Sequence, residues 1–327
     1  MTAKLSFART TVFARRSGIA GLGLYFFLTA IVGNRFGDSP ETRLIHAILL
    51  LAVLVIIPLG LSLIPLDETD NHAIFRVAVI LQPVGAAAVF ISFILGQGIL
   101  PAAFALVWLL VTGLGALFGL TRLLRRELRS ASEISISAGL IFLPIGAVWL
   151  LTSRLGIQPL GFGDTIVLLT AVHFHFAGFA APVLAGLAGR RLPEGTKLQR
   201  VHRLAVVCII TGTPLVAAGI TFSPVMALVG ASIISTGLIV LAIIVCGWVV
   251  PAIRYRSAQA LLVVSSAALL PAMLLASTYA YSIVFNKLIV DIPQMAMTHG
   301  IANAFGFALC GMIAWTIVDS AKTSAIH

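Results

Sequence analysis

Two apolar segments of the chain contain side chains with the chemistry of a proton-transfer or metal site. The segment AVHFHFAGFAAP contains His173 and His175, and the segment MTHGIANAFGF contains His299 and Asn303. A histidine gains or loses a proton near neutral pH and is also a frequent metal ligand. These residue types therefore point to acid–base catalysis or to ligation of a metal or haem.

Helical geometry separates the first two histidines and brings the other two residues together. Residues two positions apart on a helix point about 200° apart, so His173 and His175 lie on different faces of a regular helix. Residues four positions apart share a face, which places Asn303 to fix the tautomer of His299 or to hold a ligand beside it. Pro182 removes one backbone hydrogen bond, so a distorted turn is expected shortly after the first two histidines.

The composition places these segments in a membrane. Of the 327 residues, 60% are hydrophobic and only 10% are charged, and the mean hydropathy is +1.10. A soluble domain carries about a quarter charged residues, so this chain cannot cover a water-facing surface. Apolar runs of about 20 residues favour helices over a barrel. The sequence predicts an all-α polytopic integral membrane helix bundle, multi-pass in the cell membrane, with one transmembrane domain over residues 1–327.

Ten hydrophobic segments are long enough to span the bilayer as helices. They lie near residues 17–33, 44–64, 73–95, 100–121, 134–152, 164–189, 203–221, 224–250, 258–281 and 292–317. The first follows Lys4, Arg9, Arg15 and Arg16 in the manner of a signal peptide, but its length favours an uncleaved first helix. The short turn TFSP, residues 221–224, separates the seventh and eighth segments.

The basic residues are distributed unevenly between the two sides of the membrane. With the N-terminus in the cytoplasm, four of the 21 Lys and Arg residues fall outside, namely Arg35, Arg43, Arg154 and Lys287, and the other 17 fall inside. Cytoplasmic loops carry such an excess of positive residues, so both termini are predicted to be cytoplasmic. The formal net charge of +10 lies in these loops and suits contact with anionic head groups. No nucleic-acid partner is expected.

Other polar residues have simpler structural interpretations. His46 is interpreted as an interhelical hydrogen-bonding residue, and Gln82 as a partner of the kink at Pro83. The acidic loop at 65–72 is interpreted as a solvated turn, and His202 as a solvated loop residue. The three cysteines lie within apolar runs, as small packing residues do.

Depth in the membrane links the two histidine segments. At about 1.5 Å per residue, His173 and His175 lie about 13 to 17 Å from the outer start of the sixth span. His299 and Asn303 lie about 10 to 17 Å from the outer start of the tenth. An ionisable residue in the hydrocarbon costs roughly 2.5 to 3.5 kcal/mol on insertion scales. The two groups are therefore predicted to share one layer and to face a common cavity, with Asp164 nearer the outer surface.

Two longer segments carry a resemblance to a known family. GFGDTIVLLTAVHFHFAGFAAPVLAG and MTHGIANAFGFALCGMIAW together resemble the YndJ-like membrane protein family. The resemblance implies no particular reaction. It places five candidate residues in the segments that characterise the group, namely Asp164, His173, His175, His299 and Asn303.

The first functional hypothesis is a membrane-embedded enzyme of the isomerase or cyclase type that acts on a lipophilic, isoprenoid-like (terpenoid) substrate. The catalytic candidates are His173, His175, His299 and Asp164, and the substrate-binding candidates are Asn303, Phe174, Phe176, Phe179 and Tyr279. Imidazole and carboxyl groups would exchange protons with the substrate, and aromatic faces would shield a cationic intermediate. Such a reaction needs no cofactor. The sequence contains no phosphate-binding glycine loop and no serine nucleophile motif.

Two alternatives belong to other functional classes. The first is a metal or haem centre with His175 and His299 as ligands. The spacing of His173 and His175 disfavours binding of one ion by both. The second alternative is a transporter of a neutral or amphiphilic small molecule, since ten helices suit a transporter. Against it, intramembrane charge is sparse and no inverted repeat with broken helices is visible.

Reporter domains fused to the two ends of the chain test the orientation. Because the basic residues favour the cytoplasmic side 17 to 4 among the 21 present, both fusions are expected to report a cytoplasmic location. Reporters at the two ends that lie on opposite sides of the membrane would require an odd number of spans. That outcome would also remove the argument from common depth.

Overall fold

The chain is helical throughout the part that the computed structural model describes, residues 2–67, 70–125 and 130–324. These residues contain no strand, and ten of their helices are long and apolar enough to cross a membrane. The prediction of an all-α membrane bundle of about ten spans is therefore confirmed.

The membrane-spanning helices follow one another through short turns. In chain order they are α1 (Arg9–Arg35), α2 (Pro40–Ser62), α3 (His72–Ile94), α4 (Ile99–Leu124), α5 (Ala131–Leu155), α6 (Asp164–Gly189), α7 (Lys197–Phe222), α8 (Pro224–Ala252), α9 (Arg256–Val284) and α10 (Ile292–Ser320). The first helix extends back to Thr2, because basic residues can end a membrane span without ending a helix. The break predicted at TFSP is confirmed, since Ser223 separates α7 from α8.

The helices form two compact units. Unit 1 comprises residues 1–127 and 137–180, and unit 2 comprises residues 128–136 and 181–327. Helices α5 and α6 each contribute to both. Both units are built from membrane-spanning helices, and the prediction of a single transmembrane domain over residues 1–327 stays a prediction.

Helix α2 is the buried centre of unit 1. Its residues 48–57 are each at most 7% exposed, and a π-helical segment, Ala52–Ile56, interrupts it. A π turn changes the hydrogen-bond register of a helix and leaves a carbonyl available to other donors. The side chain of Gln82 in α3 donates to the Val53 carbonyl over 2.6 Å. Gln82 therefore joins two helices, whereas the sequence suggested a role at the kink of its own helix.

Helices α7 and α8 form a closely packed hairpin in unit 2. Glycines seven residues apart lie at the contact, Gly212 and Gly219 on α7 and Gly230 and Gly237 on α8. A Cβ atom added at Gly219 would overlap the backbone of Ala227. Because lipid chains are as apolar as helix surfaces, close backbone packing of this kind is what associates helices in membranes.

Five π-helical segments interrupt the spans of the described residues. They are Ala52–Ile56 in α2, Phe176–Ala180 in α6, Val245–Val249 in α8, and Ala296–Gly300 and Ala302–Leu309 in α10. The segment in α6 follows His175 directly, so the distortion predicted from Pro182 is present. Such segments occur frequently at functional sites, and both histidine segments contain one.

Two residues that the sequence assigned to solvated loops are buried. Asp70 is 8% exposed, and its carboxylate lies 3.8 Å from Nε of Arg122, which is 1% exposed. His202 is 1% exposed, and its Nε2 donates to the Ala185 carbonyl over 2.9 Å. The prediction of solvated side chains at these two positions is wrong, because packing within each unit covers them and supplies their partners. Glu68 of the acidic loop lies outside the described residues.

Substitution of Gly219 by alanine tests the hairpin packing. The added methyl group would overlap the backbone of α8, so the free energy of unfolding in detergent should fall by about 1 to 3 kcal/mol. Gly113→Ala is the matched control, because a Cβ at Gly113 meets nothing within 4 Å, and it should leave the stability unchanged or raise it by up to about 1 kcal/mol through helix propensity. Equal stability of the two variants would contradict the close approach of α7 and α8.

Candidate functional site

His175 of unit 1 is fully enclosed and uses both ring nitrogens. It ends the regular part of α6 and has no exposed surface. The indole Nε1–H of Trp108 donates to Nε2 of His175 over 2.9 Å. Because a tryptophan N–H can only donate, the histidine proton is on Nδ1, which donates to the Ala171 carbonyl over 2.7 Å. His175 is thus a neutral imidazole with no free nitrogen.

Two glycines allow α3 and α5 to approach this histidine–tryptophan pair. A Cβ atom at Gly146 of α5 would lie 2.6 Å from Nδ1 of His175, and one at Gly85 of α3 would lie 2.9 Å from the Trp108 ring. A larger residue at either position would displace one member of the pair. The pair is therefore part of the packing of unit 1, where a buried hydrogen bond between helices adds to their association.

The other aromatic side chains of the HFHFAGF run also lie in unit 1. His173 is partly buried, and its ring meets the Phe174 ring at a nearly perpendicular angle, with centroids 5.4 Å apart. Phe174, Phe176 and Phe179 are 3%, 7% and 0% exposed, so they pack inside the protein and not against lipid. Their contact with a substrate stays a prediction.

A second buried polar cluster lies at the predicted outer end of unit 1, around Arg154 of α5. Arg154 is 4% exposed and lies over the Phe93 ring. Its guanidinium donates to the Gly96 carbonyl over 3.2 Å and to Nε2 of His46 over 3.0 Å. Nδ1 of His46 donates to the Phe36 carbonyl. The interhelical hydrogen bond predicted for His46 is therefore confirmed, and both nitrogens of this ring are occupied.

Asp164 is exposed at the first residue of α6. It accepts a hydrogen bond from the side chain of Gln158 over 3.1 Å. His175 lies eleven residues further along the same helix, which is about 16 Å of axial rise. The carboxylate therefore cannot orient His175 directly, and a direct role with substrate stays a prediction.

His299 of unit 2 keeps one ring nitrogen available. It lies partly buried in the first π segment of α10, and its Nδ1 donates to the Ala272 carbonyl of α9 over 2.8 Å. This bond keeps the proton on Nδ1 and leaves a lone pair on Nε2. Among the described residues, no partner of Nε2 lies within hydrogen-bond distance. His299 thus presents a base where His175 presents none.

Asn303 satisfies the backbone beside His299 and does not touch the imidazole nitrogens. Its Nδ2 donates to the His299 carbonyl over 2.8 Å. The tautomer of His299 is therefore set by the Ala272 carbonyl, whereas the spacing had suggested Asn303. In the second π segment, Ser265 of α9 likewise donates to the Phe307 carbonyl over 2.8 Å.

The common cavity suggested by equal depth stays a prediction, since His175 belongs to unit 1 and His299 to unit 2. Tyr279 is partly buried on α9 of unit 2, and its contact with a substrate also stays a prediction. Within the part of the chain that the structure describes, no three His, Cys, Asp or Glu side chains form a group that could hold a metal ion.

Sequence reasoning missed the side-chain partners of His175 and His46, because each of them comes from a distant part of the chain. Trp108 lies 67 residues from His175, and Arg154 lies 108 residues from His46. Two signals could have indicated them. A tryptophan within an apolar helix needs an acceptor for its N–H, and an arginine beside the end of a span needs partners if a neighbouring helix covers it.

Removal of the indole donor tests the structural role of the histidine–tryptophan pair. Trp108→Phe would leave Nε2 of His175 buried without a donor, so the free energy of unfolding in detergent should fall by about 1 to 3 kcal/mol. The double variant Trp108→Phe/His175→Leu should recover part of this loss, because neither partner is then unsatisfied. Trp248→Phe is the control, since Trp248 is 53% exposed. A stability for Trp108→Phe equal to that of the control would argue against the hydrogen bond.

Comparison with known proteins identifies relatives of the chain. The sequence matches the family model described as YndJ-like protein over residues 47–307. It is 29% identical over 293 residues to the uncharacterized membrane protein YndJ of Bacillus subtilis (strain 168). The match covers 88% of this chain and 52% of that protein, so the chain spans about half the length of the curated relative. No solved structure matches the chain.

The family match includes both histidine segments. It extends from α2 into α10, so it contains His173, His175, His299 and Asn303. The name of the relative describes a membrane protein, in agreement with the ten spanning helices of the described residues. The chain is a multi-pass membrane protein. Since the matched region covers most of its length, the chain belongs to the YndJ-like protein family.

Proposed function

We propose that the chain is a membrane-embedded enzyme that moves a proton on a lipophilic, isoprenoid-like substrate, with His299 as the acid–base group. The observation that carries this proposal is the available Nε2 of His299 within a membrane-spanning helix. A half-satisfied imidazole in hydrocarbon is unfavourable for stability alone. Its retention there suits a group that must exchange a proton.

The proposed chemistry is an isomerisation that needs no other reactant. Nε2 of His299 removes a proton from an allylic carbon next to an electron-withdrawing group and returns it to the far end of the three-carbon system. One C–H bond breaks, one forms, and the double bond moves. The product has the mass of the substrate. The bond from Nδ1 to the Ala272 carbonyl stabilises the imidazolium that exists between the two transfers.

The proposal gives the other catalytic and substrate-binding candidates secondary roles. Catalysis by His175 would require its hydrogen bond from Trp108 to break, which makes it the weaker candidate. His173 and Asp164 as catalytic groups stay predictions. Phe174, Phe176, Phe179, Asn303 and Tyr279 stay the predicted substrate-binding residues.

A metal or haem centre, with His175 and His299 as ligands, stays the alternative. The same free Nε2 that supports acid–base chemistry could bind a metal. The absorption spectrum and metal content of the purified protein distinguish the two. A Soret band or one metal ion per chain, lost in His299→Ala, would replace the enzyme proposal by the alternative. Among the residues that the structure describes, no contact favours the transporter hypothesis over the other two.

Product analysis in proteoliposomes tests the enzyme proposal. The purified protein is incubated with a panel of isoprenoid ketones, and species of unchanged mass and altered retention time are measured by liquid chromatography and mass spectrometry. His299→Ala is expected to lower the rate of isomer formation by about 100-fold or more, since it removes the proton-transfer group. Asn303→Ala should have a smaller effect, because Asn303 donates to the carbonyl of His299 and exchanges no proton with the substrate.

The matched control is Thr298→Ala. Thr298 is exposed beside His299 and donates only to the carbonyl of Gln294 in its own helix, so its removal should leave the rate unchanged. Melting temperatures of all variants separate lost chemistry from lost folding. Full activity of a folded His299→Ala protein would rule out the assignment.

A further inference from the structure

Three contacts along one seam of unit 2 hold α10 against α9. Ser265, Ala268 and Ala272 lie on one face of α9, since they are three and four residues apart. At one end of this face, Ser265 donates to the Phe307 carbonyl over 2.8 Å. At the other end, the Ala272 carbonyl accepts from Nδ1 of His299 over 2.8 Å. The seam therefore ends at the imidazole that is proposed as the acid–base group.

Gly306 is the position of α10 that meets Ala268 in the middle of this seam. A Cβ atom at Gly306 would lie 2.5 Å from Cβ of Ala268, well inside the distance of about 3.5 to 4.0 Å at which two carbon atoms attract. The next atom of α9 that it would meet is Cα of Ala268, at 3.9 Å. An alanine side chain cannot rotate away, so a side chain at position 306 would separate the two helices by about 1 Å.

The separation of α9 and α10 sets the length of the bond from His299 to the Ala272 carbonyl. This bond is 2.8 Å long, and stretching it by about 1 Å would take it outside the usual range of about 2.7 to 3.2 Å. The bond determines which ring nitrogen carries the proton. Without it the proton can move to Nε2, and an Nε2–H ring has no lone pair at Nε2 to accept a proton from a substrate.

We infer that Gly306 is a positioning residue for His299. Its missing side chain lets α10 approach α9 closely enough for the Ala272 carbonyl to hold the imidazole proton on Nδ1, and this keeps Nε2 available as a base. The effect on catalysis rests on the proposed function, whereas the tautomer of His299 can be measured without a substrate. Gly306 acts from seven residues further along α10, and its closest contact across the seam is with Ala268.

The tautomer of His299 in Gly306→Ala tests the inference. Protein with isotope-labelled histidine is studied in liposomes by solid-state NMR, and the signals of His299 are assigned by their loss in His299→Gln. The parent protein should show an Nδ1–H ring at His299. Gly306→Ala should lose these signals and gain those of an Nε2–H ring. Gly247→Ala in α8 is the matched control, because a Cβ at Gly247 meets nothing within 4 Å, and it should keep the parent spectrum.

The double variant Gly306→Ala/Ala268→Gly tests the contact itself. It moves the methyl group from α9 to α10 and leaves Cα of residue 268, at 3.9 Å, as the nearest atom, so the Nδ1–H signals of His299 should return. Ala268→Gly alone should keep them. If Gly306→Ala does not fold, Ala268→Val crowds the same contact from α9 and should show the same change of tautomer. In the assay of isomer formation, Gly306→Ala should lower the rate by roughly 10- to 100-fold, and the double variant should restore it.

Three results would overturn the inference: an Nε2–H ring at His299 in the parent protein, an Nδ1–H ring in folded Gly306→Ala, or an Nε2–H ring that persists in the double variant. A different result would contradict the proposed function alone. If the tautomer changes as expected but the parent protein forms no isomer, Gly306 positions His299 for a role other than isomerisation.

Discussion

Hydrocarbon offers no hydrogen-bond partners, so each polar group within the membrane must be satisfied by the protein itself. This constraint accounts for most of the polar contacts in both units. The π segments change the hydrogen-bond register of their helices, and side chains from neighbouring helices bind the available carbonyls. Gln82 donates to the carbonyl of Val53 in unit 1, and Ser265 donates to the carbonyl of Phe307 in unit 2. Isolated polar residues that look functional in the sequence can therefore be the residues that join helices.

The same constraint distinguishes the intramembrane histidines. His46 and His175 each have a partner at both ring nitrogens, so they contribute to packing as neutral rings. His299 has a partner at Nδ1 and an available Nε2 in a helix that contains two π segments. An incomplete set of partners costs stability in a membrane. A buried imidazole nitrogen without a hydrogen-bond partner therefore indicates a catalytic or binding role better than the presence of a histidine does.

Sequence patterns were least informative near the ends of the spans. Arg154, Asp70 and His202 follow or precede hydrophobic runs and read as loop residues, yet each is at most 8% exposed. Their burial depends on which helices pack beside them, and hydropathy along one helix contains no information about its neighbours. Asn303 shows the same limit at shorter range. Its spacing from His299 predicts a shared helix face, but its side chain donates to the His299 carbonyl and not to the imidazole.

The sequence by itself determined the membrane environment, the helical class, the ten spans and the positions of the histidines along them. It could do so because the cost of placing polar groups in hydrocarbon is a local property of each segment. The tertiary structure alone decided which imidazole nitrogen has a partner. The partners that lie on other helices are 27 residues from His299, 67 from His175 and 108 from His46. The protonation and availability of each ring follow from contacts between helices, which no periodicity within a single helix specifies.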